Sequence, residues 1–258
     1  MPETRKLVIL TTDGCINELG YNRHVAVEMK IVDRTMKLRL GFAWHLRRSL
    51  SWIPEGDLFG LDEIVLEERL GPATATSPDW HHQIEGRNLT IGGVYCGRHG
   101  DLPASIVLYL ASLYRGIPRI YWLSPVITLR LTRLLAHEVG HHLIRQRGYI
   151  FERGERIVPR QYEEELAYRY SFSVCKRMFR RWYYRFADWL TRDLAGWHYA
   201  IGITDWRLAQ YKEAAARWEI AFCLDRNRDD ADYWYHKAQK MLATKTHDNT
   251  TDLLKNDS

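Results

Sequence analysis

Apolar and polar residues alternate through the first part of the chain. The segments 24–32 and 35–46 both place apolar side chains at every second position, which is typical of a half-buried β-strand. The polar residues Asp33, Arg34 and Thr35 lie between them and predict the turn of a β-hairpin. Further strands are predicted at 62–70 and 88–96. Residues 1–99 are therefore expected to be β-rich.

The middle of the chain contains signals for a long helix. The apolar run in 101–116 would suit a buried strand, but its flanking proline and Gly116 favour a helix, which we expect. Residues 118–125 are predicted to form a strand. Ser124 and Pro125 are favoured at a helix N-terminus and Gly148 at a C-terminus. These residues predict one helix over 124–148.

The last third of the chain is predicted to be helical. A helix is expected from Arg160 to about Asp193, with a break at Gly196. Two antiparallel helices are then predicted at 205–225 and 229–242. Their alternation of small and large residues weakly resembles a tetratricopeptide unit. The polar residues of 244–258 predict a disordered tail.

The predicted helix 124–148 contains the sequence HEVGHH, in which His137, Glu138 and His141 form an H-E-x-x-H pattern. Residues four apart lie on one helix face, so both imidazoles can reach the same metal ion. Zinc suits neutral imidazole ligands. Glu138 is rotated by about 100° and lies beside the metal rather than on it. There it could accept a proton from a metal-bound water and pass it to a leaving nitrogen.

Gly140 lies inside the motif, where a helical glycine costs about 1 kcal/mol relative to alanine. We expect another element, such as the helix that carries a third ligand, to approach closely at this position. Glu163, Glu164 and Glu165 lie on the next predicted helix and are candidates for that ligand. Sequence spacing alone does not choose among the three.

The sequence H-E-x-G-H-H, followed after a loop of twenty-odd residues by E-x-x-A, resembles the small gluzincin metallopeptidases. It is most similar in pattern to the compact cytosolic ImmA/IrrE-type peptidases. The glutamate three residues before Ala167 is Glu164. The resemblance implies that His137, His141 and Glu164 bind Zn²⁺ and that Glu138 is the catalytic general base. It also implies hydrolysis of peptide bonds in a protein or peptide substrate.

The resemblance carries further expectations about the site. An edge strand before the motif helix would bind the substrate backbone, and RIYWL, 119–123, is the candidate. A tyrosine or a histidine would stabilise the oxyanion, and the tyrosine candidates left open are Tyr149, Tyr162, Tyr168 and Tyr170. The chain departs from the family at Tyr168, where an Asp or Asn often supports a histidine. The orientation of His137 or His141 must therefore be held in another way.

The expected fold class is α+β, with four parts. These are a β-rich N-terminal region (1–99), a zincin-like metallopeptidase core with the motif helix (100–195), a helical and weakly tetratricopeptide-like region (196–243), and a disordered tail (244–258).

The charge distribution supports an alternative function. The chain has a net charge of +5, and arginines crowd the aromatic-rich span 169–192. Such a segment could contact nucleic acid. The alternative is a non-catalytic regulatory or binding module that contacts nucleic acid or a protein partner through Arg177, Arg180, Arg181 and Arg185. The C-terminal helices are a further candidate surface for a protein partner.

The cysteine pattern and the short apolar runs indicate the cellular compartment of the protein. The four cysteines are far apart and form no C-x-x-C pair, which favours reduced thiols. The N-terminal apolar run is too short for a signal peptide, and no run is long enough to span a bilayer. We therefore expect a cytoplasmic protein without a membrane partner.

Overall fold

In the computed structural model, the described residues are 7–9, 29–33, 42–67, 92–98, 103–146, 151–152, 155–156, 159–225 and 229–256. The fold over these residues is mixed α+β and mostly helical. The α+β class that the sequence predicts is therefore confirmed.

One five-stranded sheet forms the β part of the fold. Its strands are β1 (Leu7–Ile9), β2 (Met29–Asp33), β3 (Glu63–Glu67), β4 (Gly93–Cys96) and β5 (Ser105–Tyr109). Their order is β1-β2-β3-β5-β4. The three central strands run parallel, and the two outer strands pair antiparallel to their neighbours. The short strands β6 (Phe151–Glu152) and β7 (Glu155–Arg156) form a separate antiparallel pair.

The strand β5 corrects the expectation of a helix over 101–116. Residues 105–109 form a strand, and only Leu110–Tyr114 form a short helix, α2. Central parallel strands are covered on both faces and are therefore continuously apolar. The run Ile106-Val107-Leu108 has this composition, which periodicity alone does not distinguish from a buried helix.

The predicted hairpin around Asp33 is wrong where the structure describes it. Both sides of β2 are paired, with β1 and with β3. Residues Phe42–Leu50 form a helix, α1, instead of continuing a strand. Phe42, Leu46 and Leu50 are buried at helical spacing. Residues four apart also fit an alternating pattern, so the sequence did not distinguish this helix from a strand. Residues 34–41 lie outside the described residues.

The segment 118–125 is not a strand. Arg119–Tyr121 form a 3₁₀ turn after Pro118, with Tyr121 N–H bonded to the Pro118 carbonyl. The aromatic and β-branched residues of this segment are exposed. Such residues favour a strand only where they pack against neighbouring strands, and exposed side chains do not gain this packing.

The helix that carries the motif is α3, Ser124–Gln146, and its predicted start is confirmed. Leu131, Leu135 and Val139 pack in the main core with strands β2, β3 and β5 and with α1. Val126 and Leu129 pack in a second core with the helices that follow. The motif helix is therefore buried between the sheet and the helical part.

Two helices, α4 (Arg160–Met178) and α5 (Trp182–Arg207), replace the single helix predicted from Arg160 to about Asp193. The chain turns at residues 179–181, while Gly196 lies inside α5 and does not break it. The turn contains neither glycine nor proline. It lets Met178 and Tyr184 enter the same core, a long-range requirement that local sequence signals do not carry.

The helices α6 (Tyr211–Leu224) and α7 (Asp229–Asn256) form the predicted C-terminal pair. Trp206, Trp218 and Trp234, from α5, α6 and α7, lie with ring centroids 5.5–5.9 Å apart. Trp218 occupies the space that a side chain at Gly202 would need, with Nε1 at 2.6 Å from the position of a Cβ.

The helix α7 continues to Asn256, through most of the segment 244–258 for which we expected disorder. Once nucleated, a helix gains one hydrogen bond for each residue added, so α7 extends beyond its packed N-terminal part.

No helix in the described part of the chain combines the length and apolar character that a membrane span requires.

Candidate metal centre

The motif residues lie in the second half of α3. Glu138 and His141 are buried and His137 is half-buried. The helical setting that the sequence predicts for the motif is therefore confirmed. Both imidazoles project from the same face of α3, and their rings lie 4.8 Å apart between centroids.

Glu164, on α4, completes a three-residue cluster with the two histidines. The Nε2 atoms of His137 and His141 are 3.2 Å apart. Glu164 Oε2 lies 3.3 Å from His137 Nε2, and Glu164 Oε1 lies 3.6 Å from His141 Nε2. One ligand atom from each residue falls within 4.8 Å of the others. Among the described residues, the structure thus brings together the set that the resemblance implies.

The donor set fits a zinc ion. Zinc binds imidazole nitrogen and carboxylate oxygen at about 2.0–2.2 Å in tetrahedral geometry. Ligand atoms at such bond lengths are about 3.3–3.6 Å apart. The separation of the two Nε2 atoms, 3.2 Å, and the separation of His137 Nε2 from its nearest Glu164 oxygen, 3.3 Å, are close to this spacing. The other Glu164 oxygen lies nearer His141 Nε2, at 3.6 Å. Two imidazoles and a carboxylate are also the donor types that zinc takes in catalytic sites.

Gly140 allows α4 to approach α3 at this level. A Cβ at Gly140 would lie 2.8 Å from the Cα of Ala167 and 3.2 Å from its carbonyl oxygen. The expectation of a close approach at this glycine is therefore confirmed. Ala167 lies one helical turn after Glu164, so the same contact brings Glu164 to the histidines.

Glu163 supports His141 from the side opposite the cluster. The Nδ1 of His141 donates to Glu163 Oε1 at 3.0 Å, and Arg145 Nε donates to the same oxygen at 3.3 Å. The Glu163 side chain is only 3% exposed. A carboxylate on the second nitrogen fixes the tautomer and ring orientation of a metal-binding histidine. Glu163 thus orients the His141 ring, a role that the tyrosine at position 168 cannot take. The sequence alone did not predict this role for Glu163.

Two other residues of α4 near the cluster, Glu165 and Tyr168, do not take part as carboxylate partners of the histidines. Glu165 is exposed and pairs with Arg169 at 2.6 Å, away from the cluster. The ring of Tyr168 packs against His137 at 4.5 Å between centroids. The Nδ1 of His137 is buried and has no hydrogen-bond partner within the described residues. Packing by an aromatic ring, rather than a carboxylate, therefore fixes the His137 ring.

The electrostatics of the cluster favour positive charge. Burial opposes protonation of His141, but hydrogen bonds to Glu163 and Glu164 outweigh it and raise the pKa of His141 to about 9. Burial also acts to raise the pKa of Glu164, but the hydrogen bonds from His137 and His141 hold it far below its usual value. The two carboxylates would stabilise a divalent cation between the imidazoles by the same attraction.

Glu138 lies between α3 and the edge strand β4. Burial raises the pKa of Glu138, and the two motif histidines and the backbone N–H of Tyr95 act against this rise. The side chain of Tyr95 also binds the helix, with its hydroxyl 3.1 Å from His142 Nδ1. His142 Nε2 donates to the Phe59 carbonyl at 2.9 Å, so Nδ1 accepts from Tyr95.

The strand next to the motif is therefore β4 and not the segment 119–123. β4 is an outer strand of the sheet, and Tyr109 N–H bonds the Gly92 carbonyl. Alternation in an antiparallel pair then directs the backbone groups of Gly93 and Tyr95 away from β5. The expectation that RIYWL is the edge strand is corrected, because those residues form the 3₁₀ turn.

The tyrosines that were candidates for stabilising the oxyanion lie in different environments in the structure. Tyr168 lies against His137. The hydroxyl of Tyr170 donates to Asp57 at 2.6 Å, and Tyr162 is 52% exposed at the start of α4. Tyr149 lies outside the described residues. Tyr168 is therefore the tyrosine in contact with a cluster residue.

The resemblance to gluzincins rests on the motif residues of the sequence. Comparisons with protein-family models, with curated proteins and with solved structures each returned no match.

Proposed function

We propose that the protein is a zinc-dependent metallopeptidase of the gluzincin type. The observation that carries this proposal is the three-residue cluster, in which two imidazoles and a carboxylate offer ligand atoms within 4.8 Å of one another. Glu138 lies buried beside this cluster, as the proposed reaction requires.

His137, His141 and Glu164 would hold the zinc ion. When bound, zinc supplies a Lewis acid that polarises the scissile carbonyl and makes water nucleophilic near neutral pH. Glu163 keeps His141 in the tautomer whose Nε2 lone pair is available as a ligand. Tyr168 limits rotation of the His137 ring by packing on it.

Glu138 is proposed as the general base and acid. Its carboxylate would take a proton from the attacking water and deliver it to the nitrogen of the departing amine. Burial favours the protonated form of the carboxyl group, which suits a group that must take up the proton of the attacking water. The positive charge of a zinc ion held by the adjacent histidines would favour the ionised form before the reaction.

The zincin-like arrangement of the core is part of the proposal. In such an arrangement the substrate backbone pairs with an edge strand near the motif helix. β4 fits this role, because it is an outer strand and contacts α3 through Tyr95. The outward backbone groups of Gly93 would then bind the peptide.

The first experiment is elemental analysis of the purified protein for zinc. We expect one zinc per chain in the parent and its loss in His137→Ala, His141→Ala and Glu164→Ala. Glu165→Ala is the matched control, because Glu165 lies beside Glu164 but points into solvent. A parent protein that takes up no zinc even after incubation with the ion would refute the proposal.

The alternative of a binding module remains a prediction with one supporting observation. Arg177, Arg180, Arg181 and Arg185 are all exposed. This function predicts nucleic-acid binding that weakens steeply with salt and survives His137→Ala. Binding that is unchanged when these four arginines are neutralised would exclude it.

A further inference from the structure

Helix α5 exposes large aromatic side chains on the face opposite its core contacts. Trp182, Phe186, Trp189 and Trp197 are 70%, 44%, 58% and 54% exposed. At 100° per residue they fall within about 80° of the helix circumference. We call these four residues the α5 stripe. Outward helix faces are normally polar, so the stripe needs a partner surface.

The size of the stripe suits a dimer interface. A whole aromatic side chain presents about 200 Å², so the exposed fractions leave about 450 Å² of ring surface per copy. Two copies facing each other would bury about 900 Å² from the rings alone. Flanking side chains would bring the total above the ~1,000 Å² expected of a specific interface.

The two halves of this face complement each other. The N-terminal half carries bulky Trp182 and Phe186 with the cation Arg185. The C-terminal half carries Trp197 between the small residues Gly196 and Ala200, together with the anion Asp193. Helical rotation places Asp193, Gly196 and Ala200 on the same face as the stripe.

An antiparallel pairing of α5 with a second copy brings the unlike halves together. With the two-fold axis level with residues 190–191, Trp182 lies within one residue of the partner position of Ala200. Phe186 lies within one residue of the position of Gly196. Arg185 comes within one helical turn, about 5.4 Å, of the position of Asp193. Trp182 and Phe186 then face small residues of the partner, and the pairing of Arg185 with Asp193 occurs twice, as two-fold symmetry requires.

We infer that the protein forms a two-fold symmetric dimer through antiparallel pairing of α5. Asp193 lies in the middle of the stripe and would repel an anionic lipid surface or a nucleic acid, whereas Arg185 at the edge of this face would attract either. In a dimer, the Asp193 carboxylate of one copy instead pairs with Arg185 of the other. The charges of this face therefore favour self-association. The inference does not depend on the metal centre, since the stripe lies on the opposite side of α5 from the helix α3.

Sedimentation equilibrium of the full chain over a micromolar concentration range tests the dimer. We expect a mass of twice 30.5 kDa for the parent and for His137→Ala. Trp189→Glu should weaken dimerisation by about tenfold or more, as for a central hot-spot residue. Trp44→Glu is the control, since Trp44 is a 54% exposed tryptophan on α1. Far-UV circular dichroism establishes that each variant is folded.

Charge reversal tests the antiparallel arrangement itself. Arg185→Asp and Asp193→Arg should each weaken the dimer, and the double variant should restore it. A parent that is monomeric throughout, a dimer that survives Trp189→Glu, or a double variant without recovery would overturn the inference. So would a monomer that binds phosphatidylserine-containing vesicles or a single-stranded oligonucleotide through Trp189.

Discussion

Gly140→Ala perturbs the contact between α3 and α4 without touching a proposed ligand. The added Cβ would lie 2.8 Å from the Cα of Ala167, whereas carbon atoms pack at about 3.5–4.0 Å. Helix α4 must therefore withdraw by about 0.7 Å or more at this level. Overpacking of this kind destabilises by about 1–3 kcal/mol. The better helix propensity of alanine offsets about 1 kcal/mol of this, so the free energy of unfolding should fall by up to about 2 kcal/mol.

The displacement should affect the proposed metal centre more than the stability of the fold. Glu164 lies one turn from Ala167, and site residues must be held to within about 0.5 Å. We expect Gly140→Ala to bind zinc about tenfold more weakly, measured by competition with a chromophoric chelator. Thermal unfolding should show a fall in Tm of up to about 8 °C. Gly56→Ala is the control, because a Cβ at Gly56 meets nothing within 4 Å.

A second variant separates the clash from other effects of alanine. Adding Ala167→Gly removes the contact between the two Cβ positions at 3.1 Å but leaves the one with the backbone Cα at 2.8 Å, so recovery should be partial. The reasoning would be refuted if Gly140→Ala stabilised the fold by about 1 kcal/mol, as an unobstructed helical glycine would, and kept the zinc affinity of the parent.

Four further predictions follow from the described contacts. Glu138→Gln should retain zinc but lose hydrolysis of a peptide mixture by a factor of about 10² or more; equal cleavage by mass spectrometry would contradict its role. Glu163→Gln should lower zinc affinity by about 10–100-fold in the same chelator competition, whereas unchanged affinity would contradict its support of His141. Zinc at about 100 times its Kd should raise the free energy of unfolding by about 2.7 kcal/mol, and a chelator should abolish this gain in thermal unfolding. Arg115 donates to both carboxylate oxygens of buried Glu219 at 3.0 and 2.8 Å, so Arg115→Met should destabilise by about 1–3 kcal/mol, more than Glu219→Gln does in urea unfolding.

The sequence was sufficient for the elements whose signals are local. Ser124 and Pro125 mark the start of α3, and the spacing of His137 and His141 fixes their common face. Gly140 is a local anomaly that correctly indicates a close neighbour. These features are predictable because they depend on one helix and its own geometry.

The division of roles between Glu163 and Glu164 could not be predicted from spacing alone. Successive residues on a helix differ by about 100°, so the pair can face both nitrogens of His141. The rotation of α4 about its axis decides which of them approaches Nε2. That rotation is set by the packing of Ala167 on Gly140, which is a contact between helices.

The strand errors have a similar physical origin. The residues of 119–123 favour strands by composition, but a strand needs a neighbour, and β4 occupies the place beside α3. The turn between α4 and α5 carries no glycine or proline and arises from the burial of Met178 and Tyr184 in one core. Propensity describes a residue, while these outcomes depend on which surfaces must be covered.

The three tryptophans of the C-terminal helices have an optical consequence. Indole rings whose centroids are 5.5–5.9 Å apart couple their electronic transitions, which produces paired circular dichroism bands of opposite sign. Trp206, Trp218 and Trp234 come from three different helices, so this signal exists only while α5, α6 and α7 are docked. The aromatic bands therefore report detachment of the C-terminal helices separately from changes at the proposed metal centre.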